Sequence, residues 1–183
     1  MKRIIFSLII CLSLTIAGLA VTTPATAHQE ADIAADKSCK YCGMDREKFA
    51  HSRMVIEYED GSSVATCSLH CAAVDLANNI DKTPKSIKVG DFRSRQLIDA
   101  EKAVWVIGGS KQGVMTKNAK WAFAARDRAE AFIKENGGRI ATFDEAVKAA
   151  YEDMYADTKM IRDKRKQKRM MQNDKGGHAG HGH

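Results

Sequence analysis

The sequence predicts an α+β domain built of two similar ββαβ halves with a C-terminal helix. Three observations carry that prediction: an apolar hairpin pattern around Asp60-Gly61, the same order of apolar runs repeated after residue 103, and a helix-start signal at Thr142 with Glu145. In the first half, Arg53 to Tyr58 (RMVIEY) reads as a strand. Asp60-Gly61 is a hairpin turn signal, and Ser63 to Cys67 returns as the second strand. Ser68 fits the N-cap of a helix through Asn79, with Leu69, Ala72, Ala73 and Leu76 at helical spacing. Thr83-Pro84 breaks that helix, and Ile87 to Phe92 is the third strand.

The second half repeats the order. Ala103 to Ile107 is an apolar strand, residues 108–119 a Gly-rich loop, and Trp121 to Ala124 a second strand. Arg126 to Glu135 is a helix with Ala129, Phe132 and Ile133 inward, ended by Gly137-Gly138, and Arg139 to Phe143 is a short third strand. Thr142 and Glu145 form a capping box, in which each side chain satisfies the other residue's backbone N–H. The helix they start is amphipathic at Ala146, Val147, Ala150, Tyr151 and Met154. Beyond Lys159 charge dilutes the apolar face, and the chain is expected to project into solvent as a frayed helix or as disorder.

The N-terminus sets the compartment. Lys2 and Arg3 precede an apolar run from Ile4 to Val21, Pro24 interrupts it, and Ala25-Thr26-Ala27 fits the small-x-small cleavage rule. This is the pattern of a secretory signal peptide removed after Ala27, so the expected location is the periplasm with no stable membrane anchor. Residues 28–37 read as a flexible lead-in, 38–158 as the folded domain, and 159–183 as a basic tail containing Met and His. The formal net charge of +6 is concentrated in that tail, which carries eight Lys/Arg against Asp163 and Asp174 between residues 159 and 175. The domain proper is slightly acidic, which argues against a nucleic-acid partner.

Cys11 leaves with the signal, and Cys39, Cys42, Cys67 and Cys71 remain. Two disulfides are the simplest expectation for four cysteines in an oxidising compartment. The spacing points elsewhere. Cys39-Lys40-Tyr41-Cys42-Gly43-Met44 is a knuckle whose two sulfurs can hold one ion, and Cys67 and Cys71 follow at a strand end and in the first turns of a helix. A helix N-terminus favours the thiolate form that metals need. A C-x-x-C pair before a hairpin and a second pair after it is a metal-knuckle layout. Soft thiolate and thioether donors select Cu(I), whereas zinc wants a closed set of four cysteines. Met44 and Met115 are the thioethers expected to ligate, and Met54 and Met154 are expected in the core. His51 and His70 are expected to be exposed and non-ligating. In the tail, His178, His181 and His183 are spaced by small residues that let imidazoles fold around a second, weaker Cu(II) or Ni(II) site.

Cys42-Gly43-Met44, the Asp60-Gly61 hairpin, the cysteine-bearing turn, Val104-Trp105-Val106, the Met115 loop and Ala122-Phe123 before a helix together resemble the NosL family over about residues 38–149. The resemblance implies a fold of two ββαβ halves. It also implies periplasmic Cu(I) binding by Cys42, Met44 and Met115, and a non-enzymatic role as carrier or chaperone in copper delivery to nitrous-oxide reductase. Its partner would be a copper-donating or copper-receiving protein of the periplasm or membrane. The chain departs from the family pattern in lacking a lipid-attachment cysteine, in its full set of four cysteines with a treble-clef-like turn at Thr66 to Cys71, and in its tail.

Two other classes stay open. One is a structural zinc module with Cys39, Cys42, Cys67 and Cys71 closing one site, unfolded without metal. The other is a thiol-disulfide protein using Cys39 and Cys42, although the βαβ context such a pair requires is missing. No catalytic triad is legible, and Gly108-Gly109-Ser110 lacks the Lys-Ser/Thr ending of a phosphate loop.

Overall fold

The computed structural model describes residues 31–177, with side chains to residue 173. The expected signal peptide, its cleavage point and the three tail histidines lie outside the described residues. After a short helix α1 (residues 31–35), the chain forms β1 (Met54–Tyr58), β2 (Ser63–Thr66), α2 (Leu69–Asn78), β3 (Pro84–Gly90) and β4 (Leu97–Asp99). The second half follows as β5 (Val104–Ile107), β6 (Lys120–Phe123), α3 (Arg126–Asn136) and β7 (Arg139–Ala141), and α4 (Phe143–Gly177) completes it. The first sheet has the order β2-β1-β3-β4 and the second β6-β5-β7, with antiparallel pairing throughout. The first strand of each half sits between the other two, so the repeated ββαβ order is also a repeated topology.

β4 is an addition. Its three residues pair with Lys88, Val89 and Gly90 of β3, a run too short to show a period in the sequence. β3 begins earlier than Ile87: Pro84 opens it opposite Tyr58, at a strand's first position, where a missing N–H is tolerated. It also ends earlier, because the chain turns at Asp91, whose Oδ1 accepts from the N–H groups of Arg93 and Ser94. Asp91 Oδ2 accepts from Ala124 N–H, and Phe92 N–H donates to the Ala122 carbonyl, so this turn fastens the two halves together. Gly90 is required by close approach: a Cβ there would sit 2.1 Å from the Ala50 carbonyl oxygen.

One apolar cluster joins Met54, Ile56 and Val89 of the first sheet to Leu69 and Ala72 of α2, Trp105 of β5 and Ala146 of α4. Full burial of each large side chain here contributes about 1.5–3 kcal/mol. A second cluster gathers Trp121, Phe123 and Phe132 with Cys39, Cys67 and Cys71, so the cysteines lie against the aromatic core of the second half.

Residues 31–37, expected as part of a mobile lead-in, are tied down through Asp32. Its carboxyl oxygens accept from Arg46 at 2.7 Å and from Arg53 at 2.8 and 2.9 Å, and both guanidinium groups are fully buried. Arg46 also donates to the Asp36 and Thr66 carbonyls and Arg53 to those of Ala50 and Arg95, which spends most of their donors inside the protein. The sequence showed two arginines flanking a loop. It did not show that a carboxyl 14 and 21 residues upstream meets them both.

The Thr142–Glu145 capping box forms, with hydrogen bonds of 2.8 and 3.3 Å. Ala146, Ala149 and Ala150 form the buried face of α4, but Tyr151 is 42% exposed rather than inward. Of the two states expected beyond Lys159, the helical one is found: α4 runs to Gly177, with residues 162–173 exposed. Part of the reason is a line of polar contacts along one face. Asp153 accepts from Lys120 Nζ at 2.6 Å and from Asn118 at 2.8 Å, and Asp157 accepts from Lys117 N–H at 3.1 Å. Among the described residues no helix is long and apolar enough to cross a membrane.

Candidate metal centre

Two local structures bring the cysteines together. In the knuckle, Cys39 N–H donates to the Met44 carbonyl and Gly43 N–H to the Cys39 carbonyl, at 2.8 and 2.9 Å. That loop requires φ +71° at Gly43, a left-handed conformation in which a Cβ would be strained. Lys40 N–H donates to the Ala65 carbonyl of β2, which lays the knuckle across the strand leading to Cys67. On the other side, Ser68 occupies the N-cap of α2 but makes no side-chain capping bond. Cys67 precedes it and Cys71 lies in the first turn, so both meet the electropositive helix N-terminus.

The four Sγ atoms of Cys39, Cys42, Cys67 and Cys71 all lie within 4.8 Å of one another, and all four are free thiols. Cys42 to Cys67 is 3.4 Å and Cys67 to Cys71 is 3.9 Å. A tetrahedral ion with metal–sulfur bonds of about 2.3 Å needs sulfur–sulfur edges of about 3.8 Å. The pocket therefore fits one ion without rearrangement of the backbone. The pair of disulfides that composition alone favoured is not what the structure holds. Cys39, Cys67 and Cys71 are buried, and Cys42 is half-buried at the outer edge, where an ion would enter.

Crowding separates the thiols. Hydrogen bonds from Cys42, Cys67 and Cys71 hold Cys39 far below the ordinary thiol range. The Cys39 sulfur pushes Cys42 up, but Cys67 and Cys71 outweigh it and leave Cys42 lowered. Cys39 and Cys42 together push Cys67 and Cys71 far above that range. The physical reason is charge: further thiolates in a half-dry pocket repel the first. The C-x-x-C pair is not at a helix N-terminus, the position that activates such a pair for disulfide exchange.

Met44 and Met115 are both half-buried against the cysteine cluster, and both line a cavity of about 830 Å³ beside it. Met54 is fully buried in the core and Met154 half-buried against it. The two histidines are not the exposed residues expected. His70 is 7% exposed, with Nδ1 3.7 Å from Asp157 Oδ2. His51 is half-buried against Phe92 and Trp121, at centroid distances of 5.9 and 5.5 Å, and lines the Met44–Met115 cavity. Burial lowers the basicity of both rings. Single histidines in loops or early helix carry no periodic signal, so their burial was not legible in the sequence.

The fold and the thiol pocket define a metal-binding α+β domain with a site between a loop knuckle and a helix start. The chain belongs to the NosL family, whose model matches residues 30–151. Among individual proteins, it is 30% identical over 141 residues to the HTH-type transcriptional repressor CutR of Bacillus subtilis, covering 77% of this chain and 66% of that protein. It thus spans just under two thirds of the repressor's length. Among solved structures, the crystal structure of the copper chaperone NosL from Shewanella denitrificans is similar with a TM-score of 0.48 and 24% identity, over 59% of this chain and 87% of that one.

Proposed function

We propose that this protein is a Cu(I) carrier of the periplasm, a binding protein and not an enzyme. Cys39, Cys42, Cys67 and Cys71 hold the ion in this reading, with Met44 and Met115 on the side from which it exchanges. The observation that carries the reading is the convergence of four sulfurs within 4.8 Å in a member of the NosL family. Soft sulfur donors rank Cu(I) first, and the half-buried Cys42 leaves an edge open to a donor or acceptor. The recipient would be a copper-dependent protein of the periplasm or its membrane, with nitrous-oxide reductase the first destination to test. Repression of transcription is not carried over from CutR. Among the described residues no two helices are joined directly by a short turn in the manner of a helix-turn-helix.

The convergence of all four cysteines also favours one alternative, a structural zinc site, because a closed four-thiolate cage is zinc's usual structural coordination. Metal competition on mature, anaerobically purified protein separates the two. The carrier reading expects Cu(I) to bind stoichiometrically against a Cu(I) chelator and to displace zinc. Zinc that resists Cu(I) would establish the structural site and remove the carrier.

A further inference from the structure

α4 extends past the family domain, which ends at residue 151, and the extension is basic. Residues 159–173 carry seven Lys/Arg against Asp163 alone. Among the described residues none of the seven is paired with a carboxylate. Like charges instead stand one turn apart, at Arg162 and Lys166, Lys164 and Lys168, and Arg165 and Arg169, an arrangement that works against a helix. The helix is held all the same. Asp153 and Asp157 are fixed to Lys120, Asn118 and Lys117, and Met160 and Ile161 are half-buried on the inner side. Arg165 Nη2 donates to the Cys42 backbone carbonyl at 3.0 Å and fastens the helix to the knuckle.

The outer side of the same helix is an ordered stripe. Tyr155, Lys159, Arg162, Lys166 and Arg169 follow at alternating spacings of four and three, which sets them along one face over about 21 Å. All five are exposed, and Asp163 stands at the flank of the row. The exposed apolar groups gather here too. Of the five large apolar side chains exposed among the described residues, Tyr151, Tyr155, Met170 and Met171 are on α4, and the first three fall on or beside the basic face. Cations with tyrosines on one exposed face suit a membrane interface, where ammonium and guanidinium groups meet phosphates and tyrosine rings sit at headgroup level. A straight, regular row of like charge complements a flat surface of uniform negative charge. A protein partner is held instead by a central anchor in a pocket, and this row of exposed side chains offers none.

We propose that this stripe is a docking face for an anionic phospholipid surface, with Lys159, Arg162, Lys166 and Arg169 against the lipid phosphates and Tyr151 and Tyr155 among the headgroups. The contact is peripheral and reversible, since no described helix is apolar enough to cross a membrane. The attraction acts within a Debye length of the surface, about 8 Å at physiological salt. Arg165 ties the docked helix to the Cys42 carbonyl, so docking holds the cysteine knuckle close to the lipid. The proposal does not depend on which metal the cysteines hold.

The test is co-sedimentation of the chain from His28 onward with phosphatidylcholine vesicles containing about one quarter phosphatidylglycerol, against vesicles of phosphatidylcholine alone. Binding is expected on the anionic vesicles only and should fall steeply as salt rises. Arg162→Gln with Lys166→Gln is expected to weaken it roughly 25-fold, at about fivefold per charge. Lys85→Gln with Lys134→Gln removes the same charge from exposed positions outside α4 and is expected to leave binding nearly unchanged. Far-ultraviolet circular dichroism checks that both pairs keep the helix. Equal weakening by the two pairs would reduce the effect to net charge and overturn the stripe. Equal binding to both kinds of vesicle, or binding to neither, would overturn the proposal. Binding to poly-L-glutamate but not to anionic vesicles would also overturn it and assign the face to an acidic protein.

Discussion

The Tyr41 hydroxyl, between the two cysteines of the knuckle, donates to Oδ1 of the buried Asp75 on α2 at 2.5 Å. Tyr58 donates to the other oxygen of the same carboxyl at 2.5 Å, and Asn79 adds a third contact. Asp75 thus joins the knuckle of Cys39 and Cys42 to the helix that carries Cys71. Burial and the Asp75 carboxyl push the Tyr41 hydroxyl up to about 12, so it remains a donor across neutral pH.

Tyr41→Phe deletes one hydrogen bond and leaves Asp75 with two partners. The expected loss is about 1 kcal/mol. The loss should be larger with metal bound, because the contact fixes one half of the ligand set against the other. Urea unfolding of the apo and metal-loaded forms checks this. Equal losses in the two forms would mean that the bond serves the fold and not the site.

Asp32→Ala leaves the buried Arg46 and Arg53 guanidinium groups without their carboxyl partner. Removing one member of a buried ion pair costs about 3–5 kcal/mol. Residues 31–37 should lose amide protection in hydrogen exchange at the same time. A change under about 1 kcal/mol would show that this segment contributes little to the fold.

Metal binding should release protons. Cys67 and Cys71 are raised far above the ordinary thiol range by their neighbours, so both carry protons at neutral pH in the metal-free cluster. Cys39 and Cys42 are lowered and supply the thiolates an ion meets first. A bound ion requires thiolates, so falling pH favours the metal-free form and rising pH the loaded one. Conditional affinity should climb with pH by up to about two decades per unit, with about two protons released per ion in weak buffer. Affinity independent of pH would contradict the four-thiolate assignment.

Met115→Leu preserves apolarity and nearly preserves volume, so as a packing change it should cost under about 1.5 kcal/mol. If Met115 ligates copper, Cu(I) affinity falls by a large factor while the fold is kept. A four-cysteine cage, for copper or for zinc, predicts no change in metal affinity, so a Cu(I) chelator competition on this one variant decides whether Met115 is a ligand of the ion.

What the sequence determined by itself was local. Asp60-Gly61 set the first hairpin, because the turn needs a positive φ that Gly61 supplies at +82°. Apolar spacing set α2 and α3, and Thr142 with Glu145 set the start of α4. Cysteine spacing named the four thiols, because a knuckle and a helix start are short-range structures. The tertiary structure decided what long-range contact alone can decide. Asp32 meets two arginines because the lead-in folds back on the hairpin, and β4 exists because β3 offers it an edge. Met160 and Arg165 sit in a stretch whose charge reads as solvent-exposed. Asp153 and Asp157, gripped by the second half, carry α4 onward over the Met115 loop to the knuckle, and a composition signal has no access to that register.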